Sequence, residues 1–168
     1  MDWDKVEFKD EKRFLSNMFP CKIVFTENRF TEPFKEIFPP DEKVYLSSEH
    51  LYQALKSKDP NWFLCIRSIK KPTKIKTVAR KLLSKSKDTP FQIRPDWDNV
   101  KLQAMEIVLY LKFSQNISLK EKLKHLKGEI VERNCWGDTF WGTVNGVGEN
   151  HLGKLLMKIR KDIIDGKL

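Results

Sequence analysis

The sequence predicts an α+β fold, a single compact, mainly helical domain over residues 1–168 with a few short strands. Apolar residues recur at helical spacing in six segments, whereas the strand-like runs are only about four or five residues long. The hydrophobic content is 40%, with 5 Trp and 11 Phe, which is enough for a sizeable core. No internal repeat, low-complexity run or linker divides the 168 residues, so we expect one domain.

The first two predicted strands, residues 5–8 and 22–26, are joined by an unusually apolar connector. Loops are usually polar, so a connector rich in Phe, Leu and Met must fold onto the body and hold Ser16 and Asn17 rigidly. Its aromatic residues would form a plug in the core, which is compatible with the two polar residues facing a pocket. Residues 28–42 hold three prolines and mixed charge, and are predicted to be an irregular surface excursion.

A predicted strand at residues 43–46 leads into a helix over residues 47–56. Ser47 or Ser48 can accept a hydrogen bond from a first-turn amide, and Asp59-Pro60 ends the helix soon afterwards. A carboxylate, a phenol, an amide and an amine share one face of this helix. They belong to Glu49, Tyr52, Gln53 and Lys56. The alternative is that this set is the solvated face of an amphipathic surface helix.

Four further helices follow from the pattern. Residues 61–70 have helical spacing, and Pro72 can begin the next helix, which runs to about residue 83 with Lys76 and Arg80 on one face. Asp96 can cap a long central helix. Its apolar positions are Trp97, Val100, Ala104, Ile107, Val108 and Leu111. Residues 118–121 read Ser-Leu-Lys-Glu, a capping box that opens a helix closed by Gly128.

A short strand at residues 129–132 precedes a segment, residues 134–150, that holds four of the seven glycines, two Trp and an Asp. Asn150 can then cap a final amphipathic helix. A glycine-rich loop that feeds a helix N-terminus is a plausible phosphate site. An ordinary turn whose glycines supply positive φ explains the same residues equally well.

Net charge and cysteine content limit the kinds of ligand and metal site that we expect. The formal net charge of +9 favours an anionic ligand, but the basic residues are dispersed among acids rather than gathered into a nucleic-acid-binding arm. Cys21, Cys65 and Cys135 are widely spaced and odd in number, which argues against disulfides and a structural zinc site. A P-loop is excluded because Leu155 stands where Ser or Thr must bind magnesium. We expect neither metal nor cofactor.

No apolar run is long enough to span a membrane and the first residues are acidic rather than those of a signal peptide. We therefore expect a cytoplasmic protein that does not bind membranes, and a monomer.

Seven groups of residues, in chain order, resemble the YbiA-like or NADAR family. They are Phe14-Leu15-Ser16-Asn17 with Pro20; Ser48-Glu49-His50-Leu51-Tyr52-Gln53-Ala54 with Lys56; Pro72 with Lys76 and Arg80; Trp97, Val100-Lys101 and Met105; Lys112-Phe113 with Gln115-Asn116; Glu132 with Asp138 and Trp141-Gly142; and Gly146, Gly148, Asn150, Leu152-Gly153, Leu156-Met157 and Ile159-Arg160. Ala79 departs from the family's usual Gly, and the excursion at 28–42 is longer than usual.

The family consists of N-glycosidases that act on ADP-ribose linkages and on ribosylamines of the riboflavin pathway. The resemblance therefore implies an N-glycosidase for ADP-ribosyl compounds, including ADP-ribosylated guanine in nucleic acid, or for ribosylamino-pyrimidine phosphates. It also implies a mainly helical α+β domain, in agreement with the pattern. The alternative from another class is a non-catalytic module that binds ADP-ribose or nucleic acid.

The resemblance also implies roles for individual residues. Glu49 and Asp138 match motif positions thought to be catalytic, as a carboxylate near the anomeric carbon and an acid near the departing nitrogen. Lys56 would either form an imine with the opened ribose or neutralise a phosphate. Trp97 and Trp141 would stack on the base or ribose, or else pack in the core. The remaining expected substrate contacts are Ser16, Asn17, Tyr52, Gln53, Lys76, Arg80, Gly142, Gly148, Asn150 and Gly153.

Overall fold

The structure is a computed structural model that describes residues 5–25, 34 and 43–168. The acidic first residues and the last residue of the predicted strand 22–26 lie outside the described residues. So does the predicted excursion at 28–42, apart from Phe34, which is completely buried.

Helices dominate the described chain and the strands are short, which confirms the predicted α+β, mainly helical class. The helices are a 3₁₀ helix (Asp10–Leu15), α1 (Ser48–Ala54), α2 (Pro60–Ser68), α3 (Pro72–Leu82), α4 (Trp97–Gln115), α5 (Ile117–His125) and α6 (His151–Ile164). The strands are β1 (Lys5–Val6), β2 (Ile23–Phe25), β3 (Lys43–Tyr45), β4 (Leu83–Ser84), β5 (Phe91–Gln92) and β6 (Glu129–Ile130). No described helix is both long enough and apolar enough to cross a membrane.

The segment Asn17–Gln115 forms one compact unit, built around α1. Helix α1 packs against α2, α3 and α4, and β2 and β3 pair as an antiparallel ladder in which Val24 lies opposite Val44. Strands β4 and β5 form a short parallel pair that the sequence did not predict. Two-residue strands are too short to show an alternating pattern, so they leave no signal in the sequence.

The residues up to Ser16 together with Asn116–Leu168 form a second compact unit. Strands β1 and β6 pair in parallel, and α6 packs against both α5 and β6. The apolar stripe of α6 is buried as its helical period predicts, with Leu156 and Ile159 almost completely covered. One domain over residues 1–168 stays a prediction.

The predicted capping box of α5 is wrong, whereas Asn150 is the N-cap residue of α6 as predicted. Helix α5 begins at Ile117 after Asn116, one residue before the predicted capping box, and no side chain caps its first turn. The carboxylate of Asp96 accepts two hydrogen bonds from Arg94, and the Asp96 carbonyl oxygen accepts from the amides of Asn99 and Val100 in the first turn of α4. Asn150 does precede α6, but its side chain makes no cap hydrogen bond. Local residue preference therefore predicted the position of the α6 cap but not a side-chain hydrogen bond there.

Asp59-Pro60, predicted to end the first helix, instead begins the second. The Asp59 carboxylate accepts a hydrogen bond from the Asn61 amide at 2.8 Å, and Pro60 occupies the first turn of α2. Helix α1 itself ends at Ala54, with Leu55 as its C-cap. Lys56 therefore lies just beyond the helix rather than in its last turn.

Candidate active site

Helix α1 is held at its N-terminus by hydrogen bonds that the sequence only partly predicts. Ser47 is the N-cap, and its hydroxyl oxygen accepts from the His50 amide at 3.3 Å. The His50 ring lies between Ser47 Oγ (2.7 Å) and the Ile69 carbonyl oxygen (2.8 Å). Burial lowers the pKa of His50, so the ring is neutral, donates to Ile69 and accepts from Ser47. His50 therefore has a structural role, tying α1 to the end of α2.

Every residue of α1 is buried, so its polar face is not solvated. Glu49 is only 2% exposed, and its Oε1 accepts a hydrogen bond from Gln53 Nε2 at 2.8 Å. Burying an ionised carboxylate is costly unless it is paired. Lys56 is near enough for the charge of Glu49 to act on its pKa. The alternative of an amphipathic surface helix is therefore wrong.

The half-buried amine of Lys56 lies beside two aromatic rings. Its Nζ is 5.3 Å from the centre of the Tyr52 ring and 5.7 Å from that of Trp97, and these rings lie 5.2 Å apart, inclined at 58°. Burial lowers the pKa of Lys56, and the nearby charge of Lys76 acts in the same direction, while Glu49 opposes the change. An amine with a lowered pKa is a better nucleophile at neutral pH because more of it is unprotonated.

Arg94 positions this arrangement and was missed by the sequence reasoning. Its backbone amide donates to the Lys56 carbonyl oxygen at 2.8 Å, and its own carbonyl oxygen accepts from the Trp97 amide at 3.1 Å. The buried guanidinium is fixed by Asp96 and lies 4.7 Å from the centre of the Phe34 ring. Arg94 was not distinctive in the sequence because its contribution to the site is made by the backbone.

Helix α3 packs against α1 and supplies positive charge. Lys76 and Arg80 lie one turn apart on it, as predicted, and Lys76 is close enough to Lys56 to influence its pKa. Arg80 is exposed and Lys76 is partly exposed. These cations are suited to an anionic group such as a phosphate.

Asn17 joins the apolar connector to α1. Its carbonyl oxygen accepts from the Glu49 amide at 2.8 Å, and its side-chain Nδ2 donates to Met105 Sδ at 3.3 Å. This buried residue therefore adjoins the candidate catalytic carboxylate, as the prediction of rigidly held polar residues requires. Ser16, its neighbour in sequence, belongs to the other unit, where it is the C-cap of the 3₁₀ helix.

Asp138 lies in the second unit and organises a turn. Its Oδ1 accepts from the amides of Phe140 (3.2 Å) and Trp141 (2.9 Å), and its backbone bonds twice to the Asn134 side chain. Trp141 packs edge-on against Phe140, with ring centres 5.0 Å apart. Both residues are partly exposed. The roles of Asp138 as an acid and Trp141 as a stacking surface stay predictions.

The glycines of the predicted phosphate loop are explained by close packing. At Gly142 an added Cβ atom would collide with the carbonyl oxygen of Glu132. At Gly148 it would collide with the carbonyl oxygen of Gly142, and at Gly153 with that of Ile130. Gly148 also has a φ of +147°, a backbone conformation that residues other than glycine rarely adopt. This packing accounts for all three glycines without a ligand.

The N-terminus of α6 is also occupied by the chain itself. The amides of His151 and Leu152 donate to the carbonyl oxygens of Phe140 (3.2 Å) and Trp141 (3.0 Å). Asn150 accepts from the Glu132 amide at 3.1 Å and donates to the Ile130 carbonyl oxygen at 2.9 Å. Because these groups are already hydrogen-bonded, the turn with structural glycines is the better interpretation of residues 134–150.

A second buried amine lies on α4, outside the predicted set of contacts. Lys112 is completely buried, with its Nζ 5.3 Å from the centre of the Phe113 ring and 6.0 Å from that of Phe19. Burial lowers the pKa of Lys112 to about 8, while the nearby Cys21 raises it. The only sequence signal for it was its place in the Lys112-Phe113 motif.

Among the described residues, no group of three or more His, Cys, Asp or Glu side chains is arranged to hold a metal ion. The site around α1 is instead composed of one carboxylate, amines, amides and aromatic rings. This composition suits a polar organic ligand that carries negative charge.

Comparison with known proteins defines the class. The chain is 35% identical to an N-glycosidase of Nostoc punctiforme, covering 73% of this chain and 76% of the relative. It is 32% identical to the N-glycosidase YbiA of Escherichia coli, covering 73% of each. The NMR structure of that protein matches with a TM-score of 0.73 and 27% identity over 99% of this chain and 89% of that one. The chain is a glycosidase with the fold of YbiA.

The chain belongs to the NADAR domain family, since the model of that family matches residues 3–164. A riboflavin biosynthesis protein of Vibrio vulnificus is also similar, at 27% identity over 89% of this chain and 35% of the relative. The family expected from the sequence motifs is thereby confirmed.

Proposed function

We propose that this glycosidase hydrolyses the N-glycosidic bond of a ribosyl phosphate compound, with Glu49 and Lys56 at the reacting carbon. The substrate is either an ADP-ribosyl compound, including ADP-ribosylated guanine in nucleic acid, or a ribosylamino-pyrimidine phosphate. The observation that carries the proposal is the buried carboxylate of Glu49 together with the half-buried amine of Lys56, which lies beside the Tyr52 and Trp97 rings and whose pKa responds to the charge of Glu49. The riboflavin biosynthesis relative supports the second substrate class.

Glu49 is suited to stabilise the anomeric carbon. Breaking a ribosyl N-glycosidic bond builds positive charge on that carbon, and a carboxylate nearby lowers the free energy of the transition state. The hydrogen bond from Gln53 fixes one carboxylate oxygen and so orients the other. Lys76 and Arg80 on α3 supply the charge for a substrate phosphate.

Lys56 offers a covalent route through its amine. In the ring-opened substrate, C1 is doubly bonded to the nitrogen of the base. The unprotonated amine of Lys56 adds to C1, the bonds from C1 to the base nitrogen break, and the base leaves as an amine that carries the two protons of Lys56, so that a C=N bond joins C1 to Lys56. Water then hydrolyses the imine, which releases the sugar aldehyde and restores the amine. The lowered pKa of Lys56 supports this route over one in which the side chain only neutralises a phosphate.

The decisive experiment incubates the protein with ADP-ribosylated DNA, free ADP-ribosyl compounds and a ribosylamino-pyrimidine phosphate, and follows release of base and ribose by mass spectrometry. We expect turnover of at least one of them. Glu49→Gln keeps the shape of the side chain and removes its charge, so kcat should fall about 100-fold or more. Glu121→Gln, the same change at an exposed position on α5, should have wild-type kcat. Tight binding without any product would favour the non-catalytic binding module.

The route is tested by adding borohydride during turnover. We expect a ribosyl adduct on the wild type and on Lys81→Ala, which removes an exposed lysine of α3, but none on Lys56→Ala. Loss of affinity without any adduct in the wild type would assign Lys56 to phosphate binding. We further propose a cytoplasmic monomer, which light scattering and cell fractionation would test.

A further inference from the structure

Gln53 has a buried oxygen beside Glu49 that its own chain does not use. Its Nε2 donates to Glu49 Oε1, and because an ionised carboxylate only accepts, the amide cannot be turned round without opposing two acceptors. The orientation of its Oε1 is therefore fixed. This atom has no hydrogen-bond donor within residues 5–25, 34 and 43–168, although the residue is only 5% exposed.

Asn17, which is hydrogen-bonded to the backbone of Glu49, has a second such oxygen. Its backbone carbonyl oxygen accepts from the Glu49 amide and its side-chain Nδ2 donates to Met105 Sδ, so both the backbone and the side chain of Asn17 are held in place. Its Oδ1 is buried and likewise finds no donor in the described part of the chain. Buried acceptors left without a donor are rare because they are costly, so two of them next to Glu49 point to a ligand that supplies donors.

The chemistry of the two oxygens restricts that ligand. Neutral amide oxygens accept hydrogen bonds, so they suit hydroxyl groups and disfavour phosphate oxygens, which are acceptors as well. If Glu49 serves the anomeric carbon, as in the proposed function, the next atom of the sugar is C2. A ribosyl group carries a hydroxyl there and on the following carbon, whereas a 2-deoxyribosyl group lacks the first.

We propose that Gln53 Oε1 and Asn17 Oδ1 accept hydrogen bonds from the ribose hydroxyls and thereby select ribosyl over 2-deoxyribosyl substrates. The inference rests on the proposed function for the placement of the sugar. A site built to bond a hydroxyl rejects the analogue that lacks it, because the acceptor is then left unsatisfied in a buried place.

The test compares the binding of ribose 5-phosphate and 2-deoxyribose 5-phosphate by calorimetry. The wild type should bind the ribose compound about 10- to 100-fold more tightly. Gln53→Met, which is close in shape but has no acceptor oxygen, should reduce that preference to within about 3-fold. Asn17→Leu keeps the backbone bond to Glu49 and should reduce it in part. A merely structural defect would weaken both sugars equally and leave the ratio unchanged.

Tyr45→Phe is the matched control, since it removes another buried oxygen without a donor in the described chain, on β3 rather than beside Glu49. It should keep the wild-type ratio. Equal affinity of the wild type for the two sugars, failure of both to bind, or an unchanged ratio in Gln53→Met and Asn17→Leu would overturn the inference.

Sugar binding requires no bond cleavage, so the two proposals fail separately. Preference for the ribose compound without turnover of any candidate substrate would contradict the proposed function alone. Turnover with equal kcat/KM for ribosyl and 2-deoxyribosyl substrates would contradict the inference alone.

Discussion

Replacing the buried Lys112 by Met should stabilise the protein at neutral pH. The side chain is fully enclosed on α4, and burial lowers its pKa from 10.5 to about 8. At about 1.4 kcal/mol per pKa unit, this gap corresponds to about 3 kcal/mol lost by holding the protonated amine in the folded state. The contacts of the amine with the rings of Phe113 and Phe19 offset part of this cost. We therefore expect Lys112→Met to gain about 1–3 kcal/mol at pH 7.

The dependence on pH gives the sign of the effect. Below about pH 8 the amine is protonated in both states, so the folded wild type bears the whole cost. Between about pH 8 and 10.5 the unfolded state binds more protons than the folded state, so the free energy of unfolding of the wild type rises with pH. The advantage of Lys112→Met should shrink over the same interval, because the wild type no longer carries a buried charge.

Urea unfolding of both proteins at pH 7, 8 and 9 measures the difference. Burial raises the pKa of Cys21 above its usual 9.0, so above that pH the Cys21 thiol makes the free energy of unfolding fall with rising pH. Cys21→Ala should therefore be combined with the wild type and with Lys112→Met to separate the two effects. A Lys112→Met protein that is less stable than the wild type at pH 7, with an unchanged slope of free energy on denaturant concentration, would refute this reasoning. The interactions of the amine in the folded state would then outweigh the cost of its burial.

Two other changes test packing and positioning. A Gly→Ala change stabilises most helices, but Gly153→Ala should destabilise the protein by about 1–3 kcal/mol, because the added Cβ meets the Ile130 carbonyl oxygen. Thermal or urea unfolding measures the change, and equal or higher stability would show that α6 can shift away. Arg94→Lys loses the two-point contact with Asp96 that anchors the Arg94 backbone, which in turn bonds to the Lys56 carbonyl oxygen. Lys56 should therefore shift, so kcat should fall about 10-fold while KM stays within about 3-fold. Wild-type kcat would mean that the backbone at Arg94 holds its place without the guanidinium.

The helical elements of the site could be predicted from sequence because their signals are local. A serine cap at position 47 or 48 and the helical spacing after it identified α1, and Pro72 marked the start of α3, whereas Pro60 was interpreted as a stop signal although it begins α2. Spacing along α1 also placed Glu49 and Gln53 one turn apart, as their hydrogen bond requires. The family followed from the order of short motifs, which needs no knowledge of contacts.

Whether the polar face of α1 is buried or solvated depended on the tertiary structure. The pattern of α1 fits a solvated surface helix as well as a buried one, and only packing against α2, α3 and α4 excludes the first. In the same way, the pKa of Lys56 is lowered because elements distant in sequence, including α4 with Trp97, pack around it and remove water from the amine. Burial is a property of neighbours that are distant in sequence, so periodicity alone cannot specify it.

The glycine-rich segment shows the same division. By itself the sequence determined that residues 134–150 form turns that feed a helix, because glycine and asparagine tolerate positive φ. The tertiary structure favours a packing role, since carbonyl oxygens of the chain lie where side chains of three glycines would be, and others accept from the amides of His151 and Leu152. A loop that binds phosphate and a loop that packs tightly need the same residues. They differ only in which acceptor reaches the backbone, and that depends on how the chain folds back on itself.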